Sequence, residues 1–190
     1  MTIDDQVILS KEKQLERDIF FLREAYKYGN QNSDDPSSAT GVVIVKYDKI
    51  LINGANRLPR GVKVDETILN SDAKYEYVEH AERDAIARAA AMGIPLIGSD
   101  MWSFWFPCAP CIRPIINSQI KTLITHKEFQ DLSAKLDTRW ADSQKYALDM
   151  LSQAGIVHRS VSCYVGDDII TRFKRSHYVQ LASSLEFVKR

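Results

Sequence analysis

The side chains able to do chemistry gather in two short stretches, "HAE" at His80–Glu82 and "PCAPC" at Pro107–Cys111. Cys108 and Cys111 are two of only three cysteines in 190 residues. Alone, the pair has four readings: buried small apolar residues, a disulfide half, a redox pair or two metal ligands. His80 narrows the choice. One imidazole and two thiolates are good zinc ligands, and three protein ligands leave a fourth position for water. A catalytic zinc lowers the pKa of such a water from 15.7 to about 7. Glu82 is not needed as a ligand. A carboxylate beside the activated water can take its proton and pass it to a leaving nitrogen, the general acid/base role.

Spacing tests this reading. Cys108 and Cys111, three apart, share one face of a helix. His80 and Glu82, two apart, are separated by about 200° on an ideal helix. Both serve one site only if they lie in an opening turn, with the site just beyond the helix end. Pro107 and His80 stand where two helices should begin, and helix N-termini favour thiolate over thiol and hydroxide over water. A redox pair would leave His80 and Glu82 without a task. A structural zinc would need a fourth protein ligand; Cys163 is the candidate, but in a late predicted strand it reads better as a buried small apolar residue.

The surrounding pattern supplies elements to hold these residues. A helix is expected from about Ser10, its N-cap, to Tyr28, with Leu15, Ile19, Leu22 and Tyr26 at helical spacing. A loop follows over Gly29–Gly41. "VVIVKYDKILINGAN" reads as two strands around a tight turn at Tyr47–Lys49, and Arg57–Lys74 as a long loop of the kind that is often functional. Tyr75 and Tyr77 read as a short extended run before an alanine-rich helix, His80–Gly93. "DMWSFWF" is a strand with apolar residues on both faces; of its aromatics only Phe106, next to the cysteines, is placed at a pocket wall. A helix opened by Pro107 runs from Cys108 to Ser118, and "IKTLITH" is a strand. A looser region reaches Trp140, then "SQKYALDMLSQAG" is a helix and "IVHRSVSCYV" a strand. The tail after Asp167 reads as helical, with Ile169, Phe173, Tyr178 and Leu181 as docking groups. Alternating strands and helices give an α/β fold, a three-layer α/β/α sandwich around a mixed five-stranded sheet. Residues 1–190 form a single domain, with a core of about 10–166 and a C-terminal extension over 167–190.

Composition excludes several classes. A hydrophobic content of 45% with 26% charged residues is that of an ordinary globule. Twenty-five basic residues balance 25 acidic ones, which argues against a nucleic-acid partner. No segment approaches the roughly 18 apolar residues of a membrane span. The opening "MTIDDQVILSKEKQ" has acids where a signal peptide needs positive charge. The expectation is a cytoplasmic protein with reduced cysteines.

The spacing H-x-E…P-C-x-x-C is a signature of zinc-dependent deaminases. Three stretches extend it: "KYEYVEHAERDAI" (Lys74–Ile86), "MWSFWFPCAPCIRPIINSQIKTLI", and "GANRLPRG" (Gly54–Gly61). Together they resemble the deoxycytidylate (dCMP) deaminases of the cytidine deaminase-like superfamily, well over Val42–His126 and less closely through "ALDMLSQAGI". The resemblance implies hydrolytic replacement of a ring amino group by oxygen, most directly dCMP to dUMP and ammonia. His80, Cys108 and Cys111 would hold one Zn2+ per chain, and Glu82 would shuttle the proton. Asn56 would contact the nucleoside, the Ala81 amide would meet the ring carbonyl, and the Phe106 carbonyl would accept from the leaving amine. The resemblance also implies a homo-oligomer acting on a small nucleotide.

The chain departs from the family pattern at Arg57, where a glycine is usual. Arg57 and Arg60 can each offer a planar donor to a phosphate. Lys74 and Arg113 are further phosphate candidates, and Asn56 taken alone could equally be a turn residue. The competing functions are deamination of another amino-heterocycle (nucleoside, nucleobase, pterin or tRNA adenosine) and a non-catalytic, zinc-stabilised binding domain.

Overall fold

A computed structural model describes residues 9–190. Helix α1 (Lys11–Asn32) starts at Ser10, whose hydroxyl accepts from the Lys13 amide, the expected N-cap. It runs a turn beyond the expected end. Gly29 does not stop it, because that glycine serves contact: a Cβ there would meet the Ala39 carbonyl and the Gly41 amide at 2.7 Å. Strands β1 (Gly41–Lys46) and β2 (Lys49–Ala55) form the expected hairpin around Tyr47 and Asp48. Two short helices interrupt the loop that follows, α2 (Glu66–Leu69) and α3 (Lys74–Tyr77). Tyr75 and Tyr77 are therefore helical rather than extended. The loop is pinched at its base by a two-residue bridge, with Arg57 N donating to Glu79 O at 3.0 Å and Glu79 N to Arg57 O at 2.8 Å.

Helix α4 (Ala81–Ala91), strand β3 (Asp100–Ser103), helix α5 (Ala109–Asn117) and strand β4 (Thr122–His126) follow as expected, except that β3 is short. The Ser103 hydroxyl donates to the Trp105 carbonyl at 2.7 Å, curling the chain out of the sheet before the cysteines. The region expected to be loose is helix α6 (Lys127–Leu136) and a 3-10 turn, Thr138–Trp140. Helix α7 (Ala141–Gln153) and strand β5 (Val157–Val161) complete the core.

The five-stranded sheet has the order β2-β1-β3-β4-β5, antiparallel across β2-β1-β3 and parallel across β3-β4-β5. The α/β sandwich with a mixed five-stranded sheet is thus the observed fold. Strand alternation divides the core as the period of two requires. Val42 and Ile44 pack with α4, α5 and α7, whereas Val43 and Val45 pack with α1 and Phe129 of α6.

The tail corrects the sequence reading. It forms an antiparallel sheet of β6 (Ile170–Phe173), β7 (Ser176–Gln180) and β8 (Phe187–Lys189), not a helix. Thr171 with Phe173, and Tyr178 with Gln180, point inward. The polar member of each pair hides the alternation that marks a strand. Leu181 is exposed, while Ile169, Phe173 and Tyr178 join the α1 side of the core. No helix of the described residues is long and apolar enough to cross a membrane.

Candidate active site

The site is built where two helix starts face each other at the ends of β2 and β3. His80 is the N-cap of α4 and Cys108 the N-cap of α5, with Pro110 in the first turn of α5. Pro107 thus precedes the cap instead of opening the helix, and Cys111 sits one turn in. Gly54 brings β2 against α4: a Cβ there would lie 2.0 Å from the Ala81 carbonyl. That close approach places Asn56 under the helix end, where its Oδ1 accepts from the Ala81 amide at 3.1 Å.

His80 Nδ1 lies 3.5 Å from Cys108 Sγ and 3.4 Å from Cys111 Sγ, and the two sulfurs are 3.4 Å apart. Around a tetrahedral zinc with Zn–S of about 2.3 Å and Zn–N of about 2.0 Å, such donors stand about 3.5–3.8 Å apart. The triangle fits the ion, and His80, Cys108 and Cys111 form a group that could hold a metal. Cys163 is buried among the apolar groups on the α1 side and takes no part, which removes the candidate fourth ligand.

The protein's own charges set the titration of these groups. The hydrogen bond between the two sulfurs holds the Cys108 thiol down at about 4; burial opposes it, and the hydrogen bond and charge of His80 add to it, while the same contact and burial push Cys111 up. Burial acts to lower His80, but the hydrogen bond and charge of Cys108 outweigh it and the net shift is upward. Glu82, 3% exposed, is raised above the usual carboxylate range by burial, with His80 opposing.

These groups floor a cleft of about 720 Å³, open mouth included. His80, Glu82 and Cys108 line its depth; Asn56, Trp105, Phe106, Trp140 and Gln144 line its walls; Asp35, Lys74, Tyr75, Asp137, Arg139 and Lys174 bring charge and hydroxyl to it. The Trp140 ring stands edge-on to His80 at 5.6 Å. Gln144 Nε2 donates to the Phe106 carbonyl at 3.3 Å.

Of the expected contacts, Asn56 and Phe106 line the cleft, and Ala81 is buried behind Asn56. Arg57 and Arg60 are not among the lining residues. Arg57 is occupied through its backbone in the bridge to Glu79, and Arg60 is exposed on the loop. Arg113 is exposed on α5, and the Lys74 ammonium is spent on Asp35 at 2.6 Å. Sequence reasoning missed Trp105, Asp137, Arg139, Trp140, Gln144 and Lys174. None stands at a chemical spacing from the histidine or the cysteines; only the fold brings them there.

With this geometry in place, comparison with known proteins gives the class. Residues 15–127 match the cytidine and deoxycytidylate deaminase zinc-binding region, and the chain belongs to that family. It is a deaminase of the dCMP deaminase-like kind, a hydrolase acting on a carbon–nitrogen bond. Among its relatives, an uncharacterised deaminase in the luxG 3′ region of Aliivibrio fischeri is 34% identical over 124 residues, covering 65% of this chain and 80% of that one. The deoxycytidylate deaminase of Homo sapiens is 35% identical over 121 residues, covering 60% and 66%. The fold is also that of the dCMP deaminase from the cyanophage S-TIM5 in its apo form. Its TM-score is 0.58 at 20% identity, over 80% of this chain and all of that one.

Proposed function

We propose that this chain deaminates a cytosine nucleotide, converting dCMP to dUMP and ammonia. The observation that carries the reading is Glu82, buried at the floor of a cleft beside three donors spaced for one zinc ion. Relatives named deoxycytidylate deaminase favour dCMP, as does a protein of the same fold crystallised with dCMP and dUMP.

His80, Cys108 and Cys111 would hold the zinc. When bound, the ion supplies the Lewis acidity that makes water a nucleophile near neutral pH. Glu82 carries one proton of the attacking water to the ring nitrogen, where it stays in the product, and then carries the second, from the hydroxyl added to the ring, to the leaving amine. Burial that lifts its carboxyl helps here, because the group must bind a proton and release it again within one turnover. Asn56 holds the Ala81 amide with its Oδ1 and offers its Nδ2 to the nucleoside. The Phe106 carbonyl, which already accepts from Gln144, accepts from the leaving amine. Trp105 and Trp140 offer aromatic faces to a planar ring.

The test is ammonia release from purified, zinc-replete protein offered dCMP, CMP, deoxycytidine, cytosine and an adenosine-containing RNA hairpin side by side. Turnover of dCMP in preference to the others is expected. Turnover of none of the cytosine compounds overturns the substrate and moves it to another ring system.

A further inference from the structure

The rim of the cleft carries a positive charge that comes from outside the family-matched segment. Residues 170–180 form the hairpin β6–β7, and its two-residue turn is Lys174-Arg175, with φ of 48° and 62°. Asn and Gly are the usual occupants of such a turn. The conformation alone says nothing, since Tyr47 and Asp48 adopt it at an exposed surface. What distinguishes Lys174-Arg175 is where the chain is fastened. Arg175 N donates to the Ser37 carbonyl at 2.9 Å, and the Arg175 guanidinium donates to Asn70 Oδ1 at 2.8 Å. Arg172 Nη2 donates to the Asp35 carbonyl at 2.9 Å, and the Ala39 amide donates to the Arg172 carbonyl at 2.9 Å. The turn is thereby bolted to both segments that flank the cleft, and Lys174 becomes part of its lining.

Charge counting at the rim leaves a surplus. Lys74 is paired with Asp35 at 2.6 Å, and Arg139 with Asp137 at 2.7 Å. Lys174 Nζ donates to the Leu136 carbonyl at 2.7 Å and has no carboxylate within ion-pair distance among the described residues. The Arg139 guanidinium turns Nε and Nη2 to Asp137 and Tyr75, which leaves Nη1 without a protein partner among the described residues. Its side chain is 54% exposed. Three cations therefore meet two carboxylates at the rim, while the floor holds Glu82 and Cys108.

We propose that the β6–β7 turn belongs to the substrate site: Lys174, together with the unpaired edge of Arg139, receives a phosphate carried by the substrate. This rests on the reading of the cleft as a deaminase site. It assigns the choice of nucleotide over nucleoside to an element that the family match does not cover, in place of Arg57 and Arg60.

The variant is Lys174→Asn, which removes the charge while asparagine tolerates the left-handed backbone, with Lys174→Arg as the conservative partner. Two readouts are taken on zinc-replete protein. Steady-state kinetics should show KM for dCMP raised about 10-fold to 100-fold in Lys174→Asn, the loss of one charge-assisted hydrogen bond, with kcat within about twofold and Lys174→Arg close to wild type. Thermal unfolding with inorganic phosphate should show stabilisation of the wild type that Lys174→Asn lacks. Turnover of dCMP with unchanged KM in Lys174→Asn overturns the anion subsite and leaves the proposed function standing. Phosphate stabilisation that depends on Lys174, without dCMP turnover, overturns the proposed substrate and keeps the subsite. Phosphate stabilisation equal in both proteins overturns the role of Lys174.

Discussion

Removing Asp35 should cost far more stability than its place on the chain would lead one to expect. Asp35 Oδ1 receives Lys74 Nζ at 2.6 Å, and the two side chains are each 7% exposed. At that separation and an effective dielectric of about 20, the gross attraction is about 6 kcal/mol, set against the cost of taking both charges out of water. Asp35→Ala leaves the ammonium buried with no carboxylate. Breaking a buried pair from one side costs about 3–5 kcal/mol. The same variant removes the acceptor of the Ser37 amide, 2.8 Å from the same oxygen, which adds to the loss. Replacing both partners with apolar residues of similar size, Asp35→Leu with Lys74→Met, should recover most of the loss, because no charge is then stranded. Urea unfolding of the wild type, both single variants and the double variant closes the cycle. A cost below about 1 kcal/mol for Asp35→Ala would show that the pair is as well solvated as a surface one, and would refute the reasoning.

Glu82→Gln should lower the rate of ammonia release about 10²-fold to 10⁴-fold with zinc content unchanged; full activity in that variant sinks the proton-transfer role. Cys111→Ser should lose chelator-resistant zinc and activity together, read by metal analysis after dialysis. Glu128 is held down at about 2: burial opposes this, but hydrogen bonds from His126 at 2.9 Å and from Ser162 win. Its contribution to stability is therefore present above about pH 4.5 and is lost as pH falls from there toward 2. Glu128→Gln should flatten the acid limb of the stability curve in that window. Phe173→Ala should cost about 3–5 kcal/mol, since the ring is 1% exposed and packs edge-on to Trp105 and Phe129. The loss should appear in a single transition if, as we propose, the β6–β8 sheet and the core fold as one domain.

The residues that could hold a metal were legible in the sequence because their chemistry is carried by residue type and by spacings local to two helix starts. His80 with Glu82, and Cys108 with Cys111, announce themselves within a few positions, and the alanine run of α4 and the apolar run of β3 give the frame between them. Helix α6 and the β6–β7 hairpin were missed for one shared cause, a polar side chain at an inward position. Ser133 stands one turn from Phe129 on the buried side of α6, and Thr171 and Gln180 do the same in β6 and β7. Gln180 is satisfied by tertiary contacts that no local pattern encodes, bridging the Val165 amide and the Cys163 carbonyl, whereas the Ser133 hydroxyl donates to the Gln130 carbonyl of its own helix. The cleft walls were illegible for a different reason. Arg139, Trp140 and Lys174 reach the cleft only because helix packing and a distant hairpin carry them there, whereas Arg57 and Arg60, singled out by the departure of their loop from the family pattern, are not among its lining residues.

The bridge between Arg57 and Glu79 separates two design problems. Because the chain ends of the excursion over residues 58–78 already meet at that bridge, closing a longer excursion carries little entropy, about 0.6 kcal/mol for each doubling of length. His80 begins immediately beyond the pinch, and so its backbone is fixed by the pinch and not by what lies within the excursion. Lys74, Tyr75 and Val78, which face the cleft, lie inside it. Insertions, deletions or wholesale exchange of the excursion can therefore reshape what enters the cleft while the spacing of the three donor atoms stays as it is. What the excursion lends to the cleft and what holds the three donor atoms thus lie on different sides of two hydrogen bonds.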